Sequence, residues 1–67
     1  MFVIKLDDSL RYPPVYFCGF RKDDLCPVRF GPLSDAVKFN DILELLKVQQ
    51  AILDRTPQTR LINEYVG

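Results

Sequence analysis

Phe2, Ile4 and Leu6 alternate with Val3 and Lys5, the two-residue period of a β-strand with one face more apolar than the other. Asp7-Asp8-Ser9 closes this strand, and the Tyr12-Pro13-Pro14 loop that follows is stiffened by prolines that fix φ and offer no N–H. Residues 15–21 read as a second strand, with Val15, Phe17 and Gly19 on one face and Tyr16, Cys18 and Phe20 on the other. Apolar side chains on both faces predict a central position in a sheet. After a polar turn at Lys22-Asp23-Asp24, residues 25–30 return as a hairpin partner with Cys26, Val28 and Phe30 on one face. Pro27 removes a ladder donor, so this third strand is predicted to be an edge strand or a bulged one, and Gly31-Pro32 ends it.

The period then changes. A helix is predicted over residues 41–54, capped by Asn40 and anchored by Phe39 just before it; a start at Ser34 is the alternative. Ile42, Leu43, Leu45, Leu46, Val48, Ile52 and Leu53 cover a wide arc at helical spacing, opposite Glu44, Lys47, Ala51 and Asp54. Asp41 and Glu44 place negative charge at the positive end of the helix dipole, and Thr56-Pro57 stops the helix. Gln49 falls inside the apolar arc, where a buried amide needs partners, and the local backbone is expected to supply them; the alternative is a specificity contact across an interface. Residues 59–66 alternate once more, Leu61, Asn63 and Tyr65 against Arg60, Ile62, Glu64 and Val66, and predict a fourth strand.

The elements make an α+β domain of β-β-β-α-β order spanning residues 1–67. A helix between strands returns the chain by a right-handed crossover, so the last strand is expected to run parallel to the third and to lie beside the first. The expected architecture is thus a four-stranded, mostly antiparallel sheet of order 3-2-1-4 with one helix packed on one face. That arrangement leaves the second sheet face in question. Either the 12–14 loop and the 31–39 connection fold over it and complete a monomeric core, or it stays open as a homodimer contact or partner site.

Composition narrows the functional classes. Nine basic and nine acidic residues cancel, so no bulk field draws the chain to polyanions or membranes. No apolar run approaches the length of a membrane span, and the start lacks the basic-then-apolar pattern of an export signal, which predicts a cytoplasmic location. In that reducing setting Cys18 and Cys26 are expected as buried free thiols rather than a cross-strand disulfide. Without His there is no base to activate a cysteine nucleophile, and two cysteines fall short of a zinc site. Asp7-Asp8 and Asp23-Asp24 lack the spacing of a calcium loop and read as acidic turns, while the isolated glycines 19, 31 and 67 form no phosphate cradle. No enzyme, cofactor or metal is predicted.

Binding remains. The proposed contact residues are Tyr16, Phe17, Phe20, Arg21, Pro27 and Arg29, on the central strand and the adjoining edge. Their expected occupant is a protein partner or a second copy. The alternative is a small nucleic-acid-binding regulator that stacks bases on Tyr16 and Phe20, with Arg21 and Arg29 beside them; Phe17, Phe30, Arg11 and Lys22 belong to the same wider set.

Ala36-Val37-Lys38-Phe39, the Asn40 cap, the Leu-rich helix from Asp41 and the closing Ile62-Asn63-Glu64-Tyr65-Val66 strand together resemble short uncharacterised phage and prophage proteins built as a β-meander, one helix and a strand. The resemblance covers the second half of the chain and the first strand. It implies an accessory protein of a mobile element, of the kind that clamps a host enzyme or defence complex, anti-CRISPR proteins among them. It carries over no catalytic motif.

Overall fold

A computed structural model of the chain describes residues 1–7, 13–23 and 25–67. Asp8, Ser9, Arg11, Tyr12 and Asp24, which figured in the turn, loop and basic-residue readings above, lie outside the described residues. The strands are β1 (Phe2–Leu6), β2 (Tyr16–Phe20), β3 (Val28–Gly31) and β4 (Leu61–Tyr65), and the helix α1 is Ile42–Arg55. They form a sheet of the expected order β3-β2-β1-β4, with β2 and β1 inside and β3 and β4 at the edges.

One feature differs from the expected topology: β4 runs antiparallel to β1, pairing Leu61 with Leu6 and Tyr65 with Phe2. The cause lies before the helix. From Gly31, opposite Tyr16 at the start of β2, the chain makes a short 3₁₀ turn at Leu33–Asp35 and then runs back along the sheet. Val37 N–H donates to the Phe17 carbonyl at 3.0 Å, and Phe39 exchanges two 2.8 Å backbone hydrogen bonds with Phe2. The connection therefore fills the gap where β1 and β2, registered at Lys5 opposite Tyr16, part from each other. Having brought the chain back to the Phe2 end of β1 before α1 begins, it leaves β4 to descend from the Leu6 end.

Side chains of this connection alternate as a strand's do. Val37 and Phe39 join the helix-side core of Ile4, Phe17, Leu45 and Ile52, while Ala36 packs on the other face with Val3 and Tyr16. Phe39 thus anchors the chain ahead of the helix, as expected. The cap is one residue later than predicted: Asp41, with φ −114° and ψ 121°, accepts from Leu43 N–H at 2.9 Å. Phe39 is held extended by both bonds to Phe2, so Asn40 is the step off the sheet and Asp41 is the cap. At the far end the Ile52 carbonyl accepts from both the backbone N–H and the Oγ1 of Thr56, and an Arg55 guanidinium N–H donates to the Ala51 carbonyl, adding second donors to the last turn.

The register of β2 against β3 shifts between Phe17 and Gly19, where a bulge absorbs Cys18. Gly19 has φ +143°, a backbone conformation that side chains with a Cβ rarely adopt. The bulge overturns the simple alternation predicted for this strand. Phe20, expected opposite Phe17, comes round to the same side, with the two rings edge to face and centroids 5.1 Å apart.

Candidate interaction surface

The six residues singled out for contact are split by the fold. Tyr16 and Phe17 are buried on opposite faces of β2, at 7% and 2% exposure, and serve packing. Phe20 is 44% exposed, at the end of β2, and the Arg55 guanidinium lies 4.6 Å from its ring centroid. Arg21 is exposed, its N–H donating to the Pro27 carbonyl at 2.8 Å, and Pro27 is half-buried just before β3. Arg29 is exposed and pairs loosely with Asp35 at 3.8 Å. Phe20, Arg21 and Arg29 are thus exposed around the hairpin edge, but Phe20 lies on the helix side of the sheet while Arg29, between the helix-side Val28 and Phe30, lies on the other, and neither Tyr16 nor Phe17 supplies a stacking platform.

The sheet face away from α1 is not a continuous apolar surface. Val3 is fully buried there, beside Tyr16 and Ala36, with Val66 packed against them. Lys5 and Glu64, 3.7 Å apart, occupy the neighbouring positions on that face, and Ile62 is its exposed apolar residue on β4. Of the two arrangements weighed for this face, the connection that carries Ala36 provides part of the cover. At one end a groove of about 430 Å³ opens between Pro13-Pro14 and Pro32-Leu33, with Tyr16 in its floor.

Apolar exposure concentrates elsewhere. Leu45 and Ile52 form the buried centre of the helix, yet Ile42, Leu43 and Leu46 are 42%, 65% and 47% exposed. At 100° per residue these three lie together on one flank, and Arg55 lies on the other. Because Arg55 reaches Phe20 of β2, the leucine-bearing flank is turned toward β1 and β4. On the same sheet face Tyr65 of β4 is 66% exposed, its ring edge to face with Phe2 at 5.3 Å, and Asn63 is exposed beside it. These residues were absent from the expected contact set because every apolar helix position was assigned to the core. The signal was the arc itself, wider than one sheet face covers.

Gln49 lies at the boundary of this flank, and its side-chain oxygen is buried with no hydrogen-bond partner among the described residues. The local backbone therefore does not satisfy it as expected. Both cysteines are free, as expected, but Cys26 is exposed rather than buried; Cys18 is half-buried, its thiol donating to the Tyr16 carbonyl at 3.3 Å. Among the described residues no three acidic, Cys or His side chains gather, and no helix is long and apolar enough to cross a membrane. Compared with protein-family models, with curated proteins and with solved structures, the chain matches none.

Proposed function

We propose that this chain is a non-enzymatic protein-interaction module that docks through the exposed flank of α1 and the neighbouring edge strand β4. The observation that supports it is the grouping of Ile42, Leu43, Leu46 and Tyr65, all more than 40% exposed, on one side of the molecule. Single exposed apolar residues are ordinary, but a contiguous patch of them on a small soluble domain is the usual mark of a contact surface. Lys47, Gln50 and Asp54 rim the patch on the helix, giving the apolar centre and polar border of a binding site. The resemblance to phage and prophage proteins suggests the setting: an accessory factor or inhibitor acting on a host complex in the cytoplasm, of anti-defence or anti-CRISPR type.

The experiment is capture on the immobilised chain compared with a Leu43→Glu, Leu46→Glu double variant. Both positions are exposed, so the variant is expected to keep its circular dichroism. A protein retained by the native chain and released by the variant supports the reading; equal retention by both removes this flank as the site. The nucleic-acid alternative has less support, since Tyr16 is buried and the Phe20 ring already carries Arg55. Titration with single-stranded oligonucleotides at two salt concentrations tests it directly.

A further inference from the structure

We infer that the occupant of this flank is a second copy of the chain, joined β4 to β4 in antiparallel fashion into a continuous eight-stranded sheet. The inference deepens the interaction reading and rests on it for the choice of surface. Its first support is the edge. β4 bonds β1 through its even-numbered residues, as the Arg60 carbonyl accepting from Asp7 N–H and the Val66 N–H donating to Met1 show at the two ends of the ladder. By the alternation of an antiparallel pair, the N–H and C=O groups of Leu61, Asn63 and Tyr65 point outward. Edge strands usually carry Pro, Lys or a bulge that blocks further pairing. The other edge has Pro27 before it, Arg29 within it and a bulged neighbour; Leu61–Tyr65 has no proline and no bulge, and its one charge, Glu64, is paired with Lys5.

The outward-facing groups select the register. Pairing centred on Asn63 uses all three outward residues, setting Asn63 against itself and Leu61 against Tyr65 of the second copy. Glu64 then faces Ile62 of the second copy rather than another carboxylate, with Arg60 and Glu64 of that copy at the two diagonal positions. Sliding the pairing to centre on Glu64 would set that carboxylate against its own copy. The hydrophobic pattern points to the same solution. A two-fold axis through such a sheet is perpendicular to it, so both helices lie on one face with their leucine-bearing flanks toward each other.

The helix makes its main strand contact with β1. Strands spaced about 4.8 Å apart would place β1 and the β1 of the second copy about 14 Å from each other. Helices with their side chains are about 10–12 Å across, so the two leucine-bearing flanks come within a few Å of each other, and Tyr65 of each copy, on the same sheet face, lies between them. A strand edge alone is narrow against the ~800 Å² per partner of a stable interface, so the helix flank supplies the width.

Light scattering and amide hydrogen exchange on the native chain test the inference. A mass of two chains is expected by about 100 µM, with Leu61, Asn63 and Tyr65 amides gaining protection as concentration rises from about 1 µM, in step with the mass. Asn63→Pro removes an outward N–H and no bond to β1, so it is expected to fold and to remain monomeric. A native chain that stays monomeric throughout, a dimer in which those three amides exchange freely, or a dimeric Asn63→Pro chain each overturns it. Should Asn63→Pro not fold, the exchange pattern of the native chain decides alone. A monomer that still captures a protein through Leu43 and Leu46 ends the self-pairing inference and leaves the interaction reading standing.

Discussion

Gly19 shows how one residue shapes a sheet. Its φ of +143° costs little without a Cβ, and nothing lies within 4 Å of where a Cβ would sit, so a substitution there is penalised by backbone conformation rather than by space. Gly19→Ala is therefore expected to lower stability by about 1–3 kcal/mol, read as a lower urea midpoint. The shift should be accompanied by loss of the edge-to-face arrangement of Phe17 and Phe20, visible in aromatic chemical shifts. Gln49 is the opposite case. Its buried side-chain oxygen finds no partner among the described residues, so Gln49→Leu removes an unsatisfied acceptor and extends an apolar flank. A gain of about 1 kcal/mol is expected in the same denaturation measurement, whereas a loss would mean that the amide has a partner in solution. Neither residue was fully legible in the chain: an isolated glycine in a strand signals a bulge only weakly, and a Gln inside an apolar arc does not reveal whether backbone lies within its reach.

At the scale of elements, the strands and the helix were legible because burial on one side imposes a period, two for strands and 3.6 for the helix. The direction of β4 was not. It depends on residues 32–40, where Pro32, Ser34 and Asp35 read as loop although Val37 and Phe39 hydrogen-bond to β2 and β1. Strand pairing made by so few residues leaves no run of alternation long enough to recognise. The same segment moves the helix cap by one residue, and this is testable. Asp41→Ala deletes the acceptor for Leu43 N–H and is expected to cost about 1 kcal/mol, while Asn40→Ala, one step outside the cap, should change stability by about half that or less. Equal losses in thermal or urea unfolding would return the cap to Asn40.

For the whole molecule, size and surface belong to one problem. A chain of 67 residues holds on the order of 3–10 kcal/mol of net stability, and the largest fully buried side chains among the described residues are Ile4, Leu45, Ile52 and Val3. The apolar arc of α1 was visible in the sequence. What remained hidden was that one sheet covers only its Leu45 and Ile52 side, because arc width is a property of the helix and coverage is a property of what lies beneath it. If the uncovered flank and the β4 edge meet those of a second copy, association is linked to folding, and wherever the dimer predominates stability depends on concentration. Each tenfold increase in chain concentration then adds about 1.4 kcal/mol per dimer to apparent stability. With a urea dependence of roughly 1 kcal/mol per molar for a small chain and about twice that for the dimer, the midpoint is expected to rise by roughly 0.7 M per tenfold. Leu43→Glu with Leu46→Glu should abolish that dependence while leaving the low-concentration midpoint nearly unchanged. A midpoint that is the same from about 1 to about 100 µM would instead assign all of the stability to the single chain, and the exposed flank to a partner of another kind.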